Sequence, residues 1–205
     1  MALVSGAKTS TNAQGLQDTT YGISYAPRGV IYRAWDSSVS YASSNAATSI
    51  FPTYTTKGYG QRRLVGLRNN QGSIGGFFPG MRIVTTIDGL ITNTGTPNLT
   101  TTIGFVDDGG NFEALGTTGA VAMTTISGNG RLEVIGTIEI LALSGSNNVA
   151  SWVQHRYNAT TVSSVYTLFT VDLTQAYLEV DVRTTFSASS ASNGVTAYSG
   201  TIEVL

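Results

Sequence analysis

The chain has 205 residues, only 11% of them are charged, and its formal net charge at pH 7 is −1. This length is enough for one substantial core, and the weak net charge provides no positive field for binding nucleic-acid phosphates. The sequence contains no cysteine, which excludes disulfide frameworks, thiolate zinc sites and cysteine nucleophiles. We therefore expect one main domain, stabilised by packing or by assembly, that does not bind nucleic acid.

The N-terminal residues lack the basic and apolar regions of a secretory signal. No window of the sequence approaches the ~20 apolar residues that a membrane span requires. These features predict synthesis in a cytoplasm and no association with a membrane.

Residues 1–46 have scattered apolar groups and no helical stripe, and strand character returns from Ala47 to Arg68. We predict an extended N-terminal arm over residues 1–60. Within this arm, Tyr21–Trp35 is rich in Tyr, Trp and Arg, the types enriched at interface centres. Its aromatic groups either cover the domain's own sheet or contact another subunit. We predict contact with other subunits, because a segment without periodic structure needs a partner surface to bury its anchors. The candidate partner-binding residues are Tyr21, Ile23, Tyr25, Val30, Ile31, Tyr32, Arg33 and Trp35.

Residues 61–205 show the period-2 alternation of β-strands. The longest candidate strand is Arg131–Leu143, in which Gly136 is expected to mark a bulge or a close approach. The apolar sides of the alternating segments predict a core of Ile83, Ile103, Phe105, Leu132, Val134, Ile138, Ile140, Leu178 and Val180. Long strands favour an all-β fold, an antiparallel two-sheet sandwich of the jelly-roll type.

Histidine occurs once in the sequence, at position 155, within the predicted strand Val149–Tyr157. Nucleophilic catalysis needs an activating base, which makes His155 the candidate, but a structural or interface role is expected instead. Trp152 is expected to pack inside the sandwich. His155 is expected to share a strand face with Val153 and Tyr157.

Two pairs of carboxylates have the residue types needed for glycoside hydrolysis, Glu133 with Glu139 and Glu179 with Asp181. Both pairs lie on strand faces that are expected to meet water, which explains them without a cleft. The turn Asp107–Asn111 offers oxygen ligands of the kind that calcium takes, although hairpin turns select the same residue types. We therefore expect no enzymatic activity and no cofactor.

The basic residues Arg62, Arg63 and Arg68 flank a short apolar run. They have the charge for an anion site. Clustered charges beside a short strand are more typical of the solvated or interfacial face of an edge strand, which is the interpretation favoured here.

Several glycine-bounded segments together resemble the jelly-roll structural proteins of tailed-bacteriophage virions. They are Gly80-Met-Arg-Ile, Gly95-Thr-Pro-Asn-Leu-Thr-Thr-Thr-Ile-Gly, Leu115-Gly-Thr-Thr-Gly119, Gly130-Arg-Leu-Glu-Val-Ile-Gly136 and the strand Val149–Tyr157. The resemblance covers approximately residues 75–205. It implies a domain that forms trimers on the capsid or sits in head or tail fibres, fastened by an extended N-terminal segment. It supplies no functional residues.

The expected function is therefore that of a non-enzymatic virion structural protein, a capsid decoration or cement protein. We expect a homotrimer that binds the major capsid protein or other virion subunits through its arm, on the capsid exterior or the tail. The alternative is a receptor-binding or carbohydrate-binding module of a tail or head fibre. A binding module should expose aromatic residues on one sheet face or loop cluster, whereas an enzyme should present two carboxylates across a cleft.

Overall fold

The computed structural model describes residues 29–35, 39–42, 46–52, 58–60, 62–65, 77–158, 160–175 and 177–205. These residues form fifteen strands and no helix, and so contain no helix that could cross a membrane. The strands are β1 (Gly29–Ala34), β2 (Val39–Ala42), β3 (Thr48–Ser49), β4 (Gly58–Gly60), β5 (Arg63–Val65), β6 (Arg82–Asn93), β7 (Asn98–Val106), β8 (Phe112–Thr117), β9 (Val121–Ala122), β10 (Ile126–Ile140), β11 (Val149–Tyr157), β12 (Thr160–Ser163), β13 (Thr167–Phe169), β14 (Tyr177–Phe186) and β15 (Gly194–Val204).

The strands form two antiparallel sheets. The large sheet has the order β12-β11-β10-β6-β15-β1-β4, with β13 also beside β11 and β2 also beside β15. The small sheet has the order β3-β14-β7-β8, with β5 beside β14 and β9 beside β7. The β6–β7 and β14–β15 connections each cross between the sheets, so β6 pairs with β15 in one and β7 with β14 in the other. This interleaving of two antiparallel pairs is the predicted jelly-roll arrangement.

The core lies between the two sheets and contains the residues that the alternation predicted. The nine predicted core residues are at most 1% exposed. The sheets approach closely at Gly136, where a Cβ atom would lie 2.4 Å from Cδ1 of Ile103. A larger side chain at this position would push the sheets apart, so the expectation of a close approach at Gly136 is confirmed.

Part of the predicted arm belongs to the sandwich. Strand β1 lies between β15 and β4 in the large sheet, and β3 pairs with β14 in the small sheet. The boundary predicted between residues 60 and 61 is therefore wrong. The missing information was the pairing partner, because β15 and β14 lie more than a hundred residues away along the chain. Residues 1–28 lie outside the described part of the chain.

The side chains of β11 alternate strictly between the core and the outside. Val153, His155 and Tyr157 are buried and face the core, as predicted. Trp152 is only partly buried and faces outward, so the expectation that it packs inside is wrong. Its position between two inward residues, Ser151 and Val153, requires the opposite direction in a pleated strand.

Candidate binding surface

The outer face of the large sheet is the candidate binding surface. Inward side chains of its strands fill the core, so the alternate positions form a broad face on the other side. One cross-strand row of this face runs through Trp152, Thr137, Val84, Glu203 and Val30. The row spans five strands, from the β11 side of the sheet to β1.

Exposed apolar and aromatic side chains gather at the β11 side of this face. We call Ile135, Trp152, Tyr166 and Leu168 the aromatic end. Tyr166 is 50% exposed, Leu168 49% and Ile135 38%, while Trp152 is partly buried. Clustered apolar exposure of this kind marks interaction sites on folded proteins.

Tyr166 is held across the sheet surface by a hydrogen bond. It precedes β13, on the outer side of β11, and its hydroxyl donates to Oε2 of Glu139 on β10. Because β11 lies between these two strands, the Tyr166 side chain crosses over β11. Ala150, the β11 residue paired with both Glu139 and Leu168, faces outward and yet is fully buried. The Tyr166 side chain itself remains half exposed to solvent.

The phenol of Tyr166 stays protonated in ordinary buffers. Desolvation, together with the hydrogen bond to Glu139 and the charge of that carboxylate, raises the pKa of Tyr166 to about 12. The hydroxyl is therefore a hydrogen-bond donor to Glu139 over the whole physiological pH range, and the orientation of the ring does not depend on pH there.

The middle of the outer face carries ion pairs. The Nη2 atom of Arg131 lies 2.7 Å from Oε1 of Glu133 and 3.5 Å from Oδ1 of Asp88. Nη1 of Arg156 lies 3.9 Å from Oε2 of Glu133. The predicted pair of Glu133 and Glu139 thus lies on a strand face that meets solvent, as expected, with Glu133 bound to arginines and Glu139 to Tyr166. These two carboxylates do not face each other across a cleft.

Three of the predicted partner-binding residues lie on the same outer face, in β1 or directly after it. Val30 and Arg33 pair with outward-facing residues of β15, and Trp35 follows β1. Trp35 is 39% exposed, and the guanidinium of Arg33 lies 5.6 Å from the centroid of its ring.

The other predicted partner-binding residues do not reach this surface. Ile31 and Tyr32 are each 3% exposed and belong to the core. The Tyr32 hydroxyl donates to the carbonyl of Pro52, and its ring packs edge-on against Phe51, 5.6 Å between centroids. The prediction that these two residues contact another subunit is wrong, because the chain's own sheets bury them. Tyr21, Ile23 and Tyr25 lie outside the described residues.

The outer face of the small sheet carries the second pair of acidic residues. Nη1 of Arg62 lies 3.3 Å from Oδ1 of Asp181, and its Nη2 contacts Glu179. Nε of Arg63 lies 3.0 Å from Glu179, and Nε of Arg183 lies 3.0 Å from Asp181. The two carboxylates share one strand face and are neutralised by three arginines. This arrangement lacks the two opposed carboxyl groups that glycoside hydrolysis requires.

The arginines of this network also stack on aromatic rings. The guanidinium of Arg183 lies 4.0 Å from the ring centroid of Phe112, and that of Arg63 lies 4.3 Å from the ring of Tyr177. Phe112 covers Gly104, where a Cβ atom would lie 2.9 Å from two of its ring carbons. The small sheet's outer face is therefore occupied by its own side chains. The interpretation of Arg62 and Arg63 as part of an edge strand agrees with the position of β5.

His155 joins the two sheets inside the core. Its Nδ1 lies 2.8 Å from the hydroxyl of Thr101 on β7, and its side chain is fully buried. Burial lowers the pKa of His155 to about 4, so the ring is neutral at physiological pH. Within the described chain, Nε2 is buried without a hydrogen-bond partner. These contacts are structural, and no substrate reaches the ring from solvent.

The turn after β7 uses its acidic residue internally. Oδ1 of Asp107 accepts a hydrogen bond of 2.7 Å from the backbone N–H of Asn111, and Oδ2 accepts one of 3.0 Å from its side-chain amide. These bonds hold the pKa of Asp107 below its usual value. Across the residues that the structure describes, no group of three or more His, Asp or Glu side chains is placed to hold a metal. The turn therefore gives no support to the calcium alternative.

The aromatic end was missed by the sequence analysis for two reasons. Tyr166 lies in the link between the separate strands β12 and β13, outside any strand whose alternation could place its side chain. No sequence signal shows that a tyrosine in such a link folds back over the sheet. For Trp152 the signal existed, because strict alternation with Val153 and His155 places it outside.

Comparisons with known proteins give little help with function. No family model matches the chain, and no curated protein matches it. Among solved structures, lectin II from Ulex europaeus is similar at 11% identity, with 87% of this chain and 93% of that chain covered and a TM-score of 0.34. Arcelin-5, a lectin-like defense protein from Phaseolus vulgaris, has 11% identity, the same coverage and a TM-score of 0.36. At such low identities and TM-scores, these likenesses carry no argument about what the chain binds.

Proposed function

We propose that this chain is a non-enzymatic binding module of a bacteriophage virion and that it binds carbohydrate through the aromatic end. The observation that carries the proposal is an aromatic ring, Tyr166, held against one sheet face with Trp152 on the same face. Sugar rings present C–H faces that pack on aromatic rings, and hydroxyl groups that bond to carboxylates and amides. The sequence resemblance supports a place in a head or tail fibre, where such modules act as homotrimers.

Glycan binding by Trp152 variants tests this function. The wild-type protein should bind at least one glycan on an array of bacterial surface polysaccharides. Trp152→Ala should weaken that binding about tenfold, since a stacked aromatic contributes about 1 kcal/mol or more beyond its buried area. Trp35→Ala is the matched control, because Trp35 is also partly exposed but lies after β1, on the opposite side of the face. This variant should bind the glycan normally.

Thermal unfolding of both variants checks that the sandwich remains intact. A wild-type protein that binds no glycan on the array contradicts the proposed function. Equal binding by Trp152→Ala and wild type contradicts the location of the site.

A capsid decoration or cement role is the second candidate. It is favoured by the position of Val30, Arg33 and Trp35, which lie on the outer face of the large sheet, in β1 or directly after it. An exposed tryptophan beside an arginine is typical of interface centres, and truncation of such an anchor costs about 2 kcal/mol or more. In this role the partner is the major capsid protein or another virion subunit.

The same two tryptophan variants distinguish the candidates. If the chain is a decoration protein, Trp35→Ala should lower its incorporation into particles, while Trp152→Ala should incorporate normally. Incorporation of Trp35→Ala at the wild-type level would count against attachment through Val30, Arg33 and Trp35. Light scattering of the purified protein tests the expected trimer, and a monomer at micromolar concentration contradicts it.

A further inference from the structure

We infer that Tyr166, Glu139 and Arg82 form one binding subsite for an uncharged hexose ring, in which the sugar stacks on the open face of Tyr166. This inference rests on the proposed carbohydrate-binding function. It adds the identity of the stacking residue, the class of sugar and a positioning role for Glu139.

The first argument is the fixed orientation of the ring. Tyr166 spans β11 because its hydroxyl donates to Glu139 on the far side of that strand. Adjacent strands lie about 4.8 Å apart, so the strands on the two sides of β11 are about 10 Å apart, a distance that a tyrosine and a glutamate reaching towards each other can bridge. Ala150, the β11 residue paired with Glu139, has a small side chain and is fully buried, which leaves room for the phenol to pass over β11. A ring that is oriented before binding loses less conformational entropy when a ligand stacks on it.

The second argument is the chemistry at the edge of the ring. Glu139 and Arg82 are cross-strand partners on the outer face, and Arg82 is exposed. A carboxylate accepts more than one hydrogen bond, so Glu139 can hold Tyr166 and also accept from a sugar hydroxyl. The guanidinium of Arg82 supplies donors beside it. Acceptors and donors at the rim of an apolar platform match a sugar ring, which has hydroxyls around its edge and C–H groups on its faces.

The third argument is the local charge, which selects among sugars. The carboxylate of Glu139 and the guanidinium of Arg82 carry opposite charges in neighbouring positions. Their fields largely cancel, so the subsite neither attracts nor compensates an added negative charge. An acidic sugar would also bring its carboxylate close to Glu139. The geometry therefore points to neutral hexoses and not to uronic or sialic acids.

Isothermal titration with defined sugars tests this inference. The probes are oligosaccharides of glucose, galactose or mannose, each paired with the corresponding uronic acid oligomer. At least one neutral probe should bind, and its acidic counterpart should bind more weakly. Tyr166→Ala should weaken binding of the neutral probe about tenfold or more, as expected for the loss of a stacked ring. Tyr166→Phe keeps the ring but loses the bond to Glu139, and should fall between wild type and Tyr166→Ala.

Tyr198 provides the matched control. It is 45% exposed, close to the value for Tyr166, but it belongs to β15, away from the aromatic end. Tyr198→Ala and Tyr198→Phe should both bind the neutral probe as the wild type does. Equal losses in the Tyr198 and Tyr166 variants would overturn the assignment of the subsite.

A readout without any sugar tests the positioning role of Glu139. Ultraviolet titration of the wild type should show a tyrosine that ionises near pH 12, and Glu139→Gln should move this pKa towards its ordinary value near 10. No such change would overturn the tether. If a sugar binds and Tyr166→Ala binds it equally well, this inference fails while the proposed function stands. If no sugar binds at all, both fail. Stronger binding of an acidic probe overturns the sugar class.

Discussion

Each sheet carries an aromatic side chain on its outer face, and the two differ in what covers them. On the small sheet, Phe112 covers Gly104, and the guanidinium of Arg183 stacks on the ring at 4.0 Å. On the large sheet, the Tyr166 hydroxyl donates to Glu139 on the far side of β11, and the side chain remains half exposed. The ring of Phe112 is thus covered by the chain itself, whereas the ring of Tyr166 is open to solvent.

The charges of the two faces follow the same division. Asp181 is 3% exposed and is bound by Arg62, which precedes β5, and by Arg183 on its own strand, so its charge is neutralised within the fold. Arg131 on the large sheet is an exposed ion-pair partner whose side chain is 70% exposed. Charged residues on a sheet face therefore do not by themselves indicate a binding site. The exposed ring of Tyr166 is the more informative feature, because half of this side chain is left uncovered by the rest of the chain.

The largest effect is expected from breaking the buried network of the small sheet. Asp181→Ala leaves Arg62 and Arg183 without their shared carboxylate, and removal of one partner of a buried ion pair costs about 3 to 5 kcal/mol. Asp88→Ala on the large sheet is the control, because its side chain is 45% exposed and exposed pairs contribute about 0 to 1 kcal/mol. Urea unfolding of both variants measures the difference. Similar losses would show that the two faces are not distinct.

A second effect tests the interior that joins the two faces. The pKa of His155 is about 4 in the folded protein and 6.5 when exposed, so the unfolded chain binds the proton more tightly. Stability from the neutral ring is fully present above pH 6.5 and is lost as the pH falls towards 4, by about 3 kcal/mol in all.

Unfolding free energies measured between pH 7 and 4 check this expectation. His155→Gln cannot take up the proton, so its stability should change much less over the same range, even if it is less stable at pH 7. Parallel profiles for wild type and variant would mean that the two outer faces, and not the His155–Thr101 contact, set the acid sensitivity.

A smaller effect should follow from displacing the Phe112 ring on the small sheet. In Gly104→Ala, the new Cβ would lie 2.0 Å from the carbonyl oxygen of Glu113 and 2.9 Å from the ring of Phe112. Such overpacking costs about 1 to 3 kcal/mol and should separate Phe112 from Arg183. Gly119→Ala is the control, since no heavy atom lies within 4 Å of a Cβ there. Thermal unfolding compares the two, and equal midpoints would contradict the close packing at Gly104.

The alternation of residue types was enough to predict much of the interior. The nine predicted core residues are buried, and the face shared by Val153, His155 and Tyr157 is the inward one. This success has a simple cause, since a strand that is buried on one face must repeat its apolar residues with a period of two. The same period of two places Trp152 on the outer face, against the expectation that it packs inside.

Segments before residue 60 show where local pattern fails. Ile31 and Tyr32 have the composition of an interface anchor, and only the pairing of β1 with β15 places them in the chain's own core. The sequence could not choose between a partner subunit and a distant strand, because both bury the same aromatic side chains. For residues 1–28, which lie outside the described residues, the arm stays a prediction.

By itself, then, the sequence determined an all-β sandwich, its core positions and the structural character of His155, because each depends on residue types and their spacing along one strand. Tertiary structure alone decided which rings are open and which charges are satisfied. Tyr166 meets Glu139 27 positions earlier in the chain, and Asp181 meets Arg62 119 positions earlier. Contacts between such distant residues follow from the register of the sheets. This register leaves the Tyr166 ring exposed on the large sheet and covers the Phe112 ring on the small sheet.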